Sequence, residues 1–171
     1  MSSTTIEQTT TFQADPIHSS VGFEVKYLGV ATFSGELTDF EATLADGTLT
    51  GKARVASIEV KDENLKAHLQ APDFFDAERH PEITFTGTQA GEGVFEGEIT
   101  IKGVTKPATL SGTITGPVTD PYGNERYGLS LQTVVDRTQF GLNWNAPLPG
   151  GGFALANDVT LKAELSLVKA A

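Results

Sequence analysis

From Thr11 to Val168 apolar residues recur chiefly at every second position, the spacing that sends alternate side chains to opposite faces of an extended strand. Val21, Phe23, Val25 and Tyr27 enclose Glu24 and Lys26; Ile83 and Phe85 alternate with Glu82, Thr84 and Thr86. Ala108, Leu110 and Ile114 alternate with Thr109, Ser111, Thr113 and Thr115, and Val159, Leu161, Ala163, Leu165 and Leu167 with Thr160, Lys162, Glu164 and Ser166. One face of each segment is dry and the other wet, which predicts antiparallel strands covered on one side only. Leu49, Ala53 and Val55, then Ile99 and Ile101, then Leu129, Leu131 and Val135 predict three more. The parity changes between Leu37 and Phe40 and again from Val55 to Ile58, as a bulge or bend requires. Asp46-Gly47, Gly91-Glu92-Gly93 and Asp120-Pro121-Tyr122-Gly123 supply turn chemistry between strands.

One stretch departs from this period. Leu65 and Leu69 lie four apart and Asp62 is a good N-terminal cap, so a short amphipathic helix is predicted from Asp62 to Gln70, covering one end of the sheet. Asp73-Phe74-Phe75-Asp76 is expected to add a further helical turn before His80-Pro81 returns the chain to an extended path. Residues 1–10 read as a flexible arm, 11–168 as one domain and 169–171 as a tail.

Strands of this kind must hide their apolar faces, and an all-β antiparallel barrel of about eight strands does so while removing the edges; a two-sheet sandwich is the rival. Small residues at inward positions (Ala31, Gly35, Gly51, Ala53, Gly87, Gly97, Ala108, Gly112 and Ala163) favour an unfilled lumen, although the glycines would equally serve bends and close packing. The expected lining is Val21, Phe23, Val25, Phe33, Leu37, Ile83, Phe85, Ile99, Leu110, Leu129, Trp144 and Leu161.

Composition narrows the chemistry. A formal charge of -10 over 171 residues opposes nucleic acid and anionic lipid surfaces. No run of eighteen apolar residues predicts stable membrane insertion, and the absence of cysteine removes disulfides, thiolate catalysis and cysteine-ligated metals. The polar start MSSTTIEQTT lacks a secretory leader, which predicts a cytoplasmic protein, or a periplasmic or extracellular one if a leader has been removed. His18 beside Ser19 and Ser20 has no nucleophile elbow, and neighbours on an extended chain point apart, so no catalytic site is expected there. His18, His68 and His80 lack the HxH or HExxH spacing that would place two metal ligands on one face. Gly150-Gly151-Gly152 opens no helix and reads as a loop. Arg137 would make a good polar anchor at a barrel mouth, and His18 and Ser19 are expected there as well.

Four blocks carry a resemblance. They are Asp15-Pro16-Ile17-His18-Ser19-Ser20-Val21-Gly22-Phe23-Glu24-Val25 with Phe33-Ser34-Gly35; His68-Leu69-Gln70-Ala71-Pro72-Asp73-Phe74-Phe75-Asp76 with His80-Pro81-Glu82-Ile83-Thr84-Phe85; Ile101-Lys102-Gly103-Val104-Thr105-Lys106-Pro107; and Asp136-Arg137-Thr138-Gln139-Phe140-Gly141-Leu142-Asn143-Trp144-Asn145 followed by Gly150-Gly151-Gly152 and Asn157-Asp158-Val159. Together they resemble the YceI-like family of bacterial lipocalin-like barrels that bind polyisoprenoid lipids. The resemblance implies a closed antiparallel barrel with an added helical segment, a long apolar pore, frequent homodimerisation, and no catalytic residue or cofactor. Tyr27 stands where many members carry histidine, so the candidate headgroup contacts are His18, Ser19, Tyr27 and Arg137. The function implied is non-enzymatic binding, carriage or storage of a long-chain isoprenoid, quinone or fatty-acid-like lipid. The alternatives are an enzyme acting on a lipid in the same pocket through His18 or Asp136, and an interaction domain with a filled barrel. Given the net charge, a neutral head should be tolerated better than a pyrophosphate unless Arg79, Lys102, Lys106, Arg126 or Arg137 cluster at the mouth.

Overall fold

The alternation seen in the sequence folds into eleven antiparallel strands of one sheet. The structure, a computed structural model, describes residues 10–170, so the expected N-terminal arm lies outside the described residues except for Thr10. The strands are β1 (Thr11–Ala14), β2 (Ser20–Tyr27), β3 (Ala31–Leu37), β4 (Phe40–Ala45), β5 (Thr48–Arg54), β6 (Ile58–Glu59), β7 (Glu82–Gly91), β8 (Val94–Ile101), β9 (Val104–Thr119), β10 (Glu125–Asp136) and β11 (Leu155–Lys169). The single α-helix among the described residues, α1, spans Glu63–Gln70, and none there is long and apolar enough to cross a membrane.

Three of the strands are bent, and this reduces eleven segments to a closed barrel of eight strands. β1 and β2 form one strand interrupted at residues 15–19, β3 and β4 a second turning at Thr38–Asp39, and β5 and β6 a third broken by a turn of 3₁₀ helix at Val55–Ser57. Their pairings are consistent: β2 with β3 and β1 with β4, then β4 with β5 and β3 with β6. The last two corners satisfy each other's backbone, with Arg54 N donating to Asp39 O at 2.9 Å and Thr38 N to Ser57 O at 3.3 Å. The parity changes at Leu37–Phe40 and Val55–Ile58 are these corners. β7 to β10 follow as a meander, and β11 closes the ring by pairing β10 on one edge and β2 and β1 on the other. Lys169, assigned to the tail by sequence, is instead the last residue of β11 and sits opposite Phe12, because the pairing with β1 extends the strand that far.

The interior is filled unevenly. Toward the end carrying the Asp46-Gly47 turn, Phe95, Leu129, Leu131 and Leu167 are almost fully buried, and Phe12 meets Tyr127 edge-on at 5.2 Å. The inward glycines do not all leave space, which corrects the sequence reading. A Cβ on Gly97 would run into the Thr86 carbonyl and one on Gly112 into that of Ser130, so both permit close approach of neighbouring strands. Gly35 and Gly87 are covered by the rings of Phe23 and Phe85, whose nearest atoms lie 2.7 and 2.6 Å from where a Cβ would stand. Gly51 is different: its nearest neighbour would be Glu41 O at 3.9 Å.

Candidate functional site: an apolar cavity beneath a helical lip

At the other end the barrel interior is open. A cavity of about 550 Å³ is walled by Phe23, Val25, Phe33 and Leu37 on β2 and β3, Ile83 and Ile101 on β7 and β8, and Val135, Val159 and Leu161 on β10 and β11. A smaller space of about 120 Å³ lies among Val21, Leu37, Ile83, Phe85, Ile99, Leu110 and Leu161, three of which also line the main cavity. The lining of the main cavity brings together few polar side chains: Tyr27, Thr32, Arg137 and Trp144.

Two lips flank the mouth. The first is α1 and the chain that follows it. Asp62 caps the helix by accepting from Asn64 N at 2.9 Å, and Leu65 and Leu69, four apart, turn toward the cavity. Phe74 and Phe75 join them, but through irregular turns rather than the helical turn expected: Phe75 N donates to Leu69 O at 3.0 Å, Ala77 N to Gln70 O at 2.9 Å, and Asp76 takes a left-handed φ of 52°. Lys102 holds this lip to the barrel, donating to Pro72 O at 2.8 Å and Gly141 O at 3.2 Å.

The second lip consists of the β2–β3 hairpin tip and the segment from Gly141 to Ala154. Leu28 N donates to Ala154 O at 2.7 Å and joins the two. The Asn145 side chain serves as a strand partner for Leu155, with its Nδ2 2.8 Å from Leu155 O and its Oδ1 accepting from Leu155 N at 2.8 Å. Pro147 bridges Phe153, and Leu148 N donates to Gly152 O at 3.0 Å, so the triple glycine turns a short loop. Trp144 reaches across the mouth to the first lip, with its ring 4.8 Å from that of His68 and 5.4 Å from that of Phe74.

Arg137 opens a turn of 3₁₀ helix at Arg137–Phe140 and is 5% exposed. Its Nε donates to Ala156 O at 2.9 Å and its Nη1 to Leu142 O at 2.6 Å and Trp144 O at 2.9 Å, while Nη2 is buried with no partner among the described residues. Burial pushes its pKa down, and neighbouring Asp136 pulls only partly the other way. Asp136 is itself turned to Thr138, accepting from its N at 2.9 Å and its Oγ1 at 2.6 Å, bonds that hold its carboxyl below the usual range. Arg137 thus ties the second lip to the barrel and carries the one full charge on the cavity wall.

The predicted residues divide by position. Phe23, Val25, Phe33, Leu37, Ile83, Leu161, Trp144, Tyr27 and Arg137 border the main cavity, and Val21, Phe85, Ile99 and Leu110 border the smaller one. Leu129 lines neither: at 2% exposed it belongs to the filled half, because β10 enters the barrel from that end. His18 and Ser19 are corrected as well. They lie at the β1–β2 bend near the opposite end, His18 exposed with Nδ1 2.7 Å from Asp15 Oδ2, and Ser19 Oγ accepting from Ser166 N at 2.9 Å. Among the described residues no three His, Asp or Glu side chains come together as metal ligands would. Leu65, Leu69, Phe74, Phe75, Ile101, Val135 and Val159 were missed as lining. Parity with Ile99, Leu131 and Leu161 marks the last three, whereas nothing in a strand period marks the lip.

A closed antiparallel barrel with an apolar chamber under a helical lip is a hollow barrel rather than one filled throughout by its own side chains. The chain belongs to the YceI-like domain family, whose profile matches residues 12–167. It is 31% identical over 162 residues to a UPF0312 protein of Staphylococcus aureus (strain USA300), covering 90% of this chain and 95% of the relative. A Campylobacter jejuni YceI protein superposes with a TM-score of 0.70 at 26% identity, over 85% of this chain and 90% of the other. Burkholderia cenocepacia BcnA shares the fold at a TM-score of 0.70 and 21% identity, over 90% and 98% of the two chains. A polyisoprenoid binding domain from Saccharophagus degradans shares it at 0.67 and 9%, over 93% and 98%.

Proposed function

We propose that this protein binds one long-chain lipid by its tail, an isoprenoid or a similar quinone or fatty-acid-like chain, and carries or stores it unchanged. The observation that carries this reading is the cavity itself, about 550 Å³ with a nearly unbroken apolar wall. That volume falls within the roughly 300–1,000 Å³ typical of small-molecule sites. Each tail methylene withdrawn from water contributes about 0.8 kcal/mol before ordering costs, so the tail supplies most of the affinity. The polyisoprenoid binding named for the Saccharophagus degradans domain supports the same ligand class. Tyr27 and Arg137 are the headgroup candidates that border the cavity.

An enzymatic reading finds less support. Acid–base chemistry needs polar groups converging on one pocket atom, whereas His18 lies near the far end and Asp136 is engaged with Thr138. Titration with a series of alcohols of one chain type and increasing length tests the proposal. Affinity should rise with each added carbon until the cavity is full; affinity independent of length would overturn it. Extraction of the purified protein with organic solvent, followed by mass spectrometry, identifies any lipid bound.

A further inference from the structure

We propose that the second lip, residues 27–33 and 141–154, docks on an uncharged bilayer surface so that a lipid passes between membrane and cavity without crossing water. This rests on the reading of the cavity as a lipid-tail site.

Charged residues make up 20% of the chain, and its net charge is -10. Yet the run Tyr27-Leu28-Gly29-Val30-Ala31-Thr32-Phe33 and the run from Gly141 to Ala156 contain no Asp, Glu, Lys, Arg or His. The fold joins these two separate runs through the Leu28–Ala154 hydrogen bond and sets them at the cavity mouth, where Tyr27, Ala31, Trp144 and Ala154 also line the interior. Their apolar side chains point outward in a way burial cannot explain: Val30 is 86% exposed and Phe153 64%, with Leu28, Tyr27 and Trp144 partly exposed beside them. Exposed aliphatic groups next to tryptophan and tyrosine match the chemistry of a bilayer interface, where aromatic rings settle at headgroup depth. The opposite lip carries Asp62, Glu63, Lys66 and Asp73, so the mouth has one charged side and one uncharged side. A protein of this net charge is repelled by anionic lipid, and the lysines that reach the lip are engaged there, Lys26 donating to Thr32 Oγ1 at 3.0 Å and Lys102 to Gly141 O at 3.2 Å, so the lip offers little attraction to offset that, which favours a zwitterionic surface.

The test measures transfer of a fluorescent long-chain lipid from the intact protein to vesicles, comparing wild type with Val30→Asp/Phe153→Asp. With phosphatidylcholine vesicles the wild-type rate should rise in proportion to vesicle concentration, because transfer occurs on contact. The double variant should transfer at least about tenfold more slowly while its equilibrium affinity for the lipid in solution stays within about twofold, since neither side chain lines the cavity. Vesicles containing phosphatidylglycerol should slow wild-type transfer at low salt. A wild-type rate independent of vesicle concentration overturns the proposal, as does an unchanged rate in the double variant. Loss of a dimer in the variant with unaltered transfer would assign the lip to a second copy of the chain and overturn it equally. If no lipid binds wild type in solution, the tail-binding reading fails first, and this one with it.

Discussion

Arg126 Nη1 lies 3.1 Å from Oδ2 of Asp15, a residue 111 positions earlier, and so fastens the β1–β2 bend to the start of β10. The same guanidinium donates through Nε to Asp120 Oδ2 at 2.7 Å, and His18 meets Asp15 from the other side at 2.7 Å. The cluster closes the end of the barrel away from the cavity, where Asp120 also accepts from Tyr122 N and Asn124 N at 2.9 Å and organises the β9–β10 turn.

Acid should release this fastening. The His18 hydrogen bond, followed by bonds from Ile17 N and Arg126, holds the Asp15 pKa down at about 2, and Arg126 first, then Asn124 N, hold Asp120 at about 2, both below the ordinary 3.8. A carboxylate with a depressed folded-state pKa contributes stability that is complete above its unfolded value and is lost as pH falls through the folded one. Arg126→Gln should therefore melt below wild type at pH 7, and the gap should close between about pH 4 and pH 2. Melting curves across that range check it; a gap independent of pH would contradict the assignment.

Trp144 is the only tryptophan and stands at the mouth against His68 and Phe74, so its emission should shift to shorter wavelength when a tail enters. Trp144→Ala should weaken binding on the order of tenfold, about 1.4 kcal/mol, since it removes a large aromatic wall but not the backbone carbonyl that holds Arg137. Fluorescence and calorimetric titrations read the two effects separately.

Leu129 and Leu161 separate the filled half of the barrel from the hollow one. Leu129→Ala should destabilise by about 2–5 kcal/mol and leave tail affinity unchanged. Leu161→Trp, at the junction of the two spaces, should exclude longer tails while shorter ones still bind, with an overpacking cost of about 1–3 kcal/mol or less, since it enters open space. Denaturant melts paired with chain-length titrations distinguish them.

Glycines of equal appearance should respond oppositely. Gly112→Ala drives a methyl into the Ser130 carbonyl and should cost about 1–3 kcal/mol or more. Gly51→Ala meets nothing nearer than 3.9 Å and should change stability by less than about 1 kcal/mol. Chemical denaturation of the two variants provides the comparison.

Few cations stand on the cavity wall to meet a pyrophosphate. Of the five cations that could cluster there, Arg126 is at the far end, Arg79 extends into solvent, Lys102 is spent on Pro72 and Gly141, and Lys106 does not line the cavity, so Arg137 is the one of the five on its wall. An isoprenoid alcohol should bind more tightly than its pyrophosphate, with the difference shrinking as salt screens the protein's field. Titrations of the matched pair at two salt concentrations check this.

Strands, corners and the capped helix were legible because each rests on local chemistry: parity for β2, its slip at Leu37–Phe40, and Asp62 ahead of the Leu65–Leu69 stripe. The end of the barrel to which a residue belongs was not, since a period of two has no direction; hence His18 and Ser19 were expected at the mouth and Leu129 in the lumen. The meaning of an inward glycine also escaped, because it depends on whether Phe23 or Phe85 from a neighbouring position swings over it. The first lip was hidden for a related reason. Phe74 and Phe75 reach the cavity through irregular turns held by Leu69 and Gln70 carbonyls, which no periodicity announces.

The late position of β11 in the chain sets an order on assembly. It alone bridges β10 to the first two strands, and Phe12 waits for Lys169. During synthesis, every earlier strand can emerge from the ribosome and pair with its neighbour while the wall still gapes along one side. Enclosure of the chamber therefore waits on the last strand, since only residues 155–169 can close that gap.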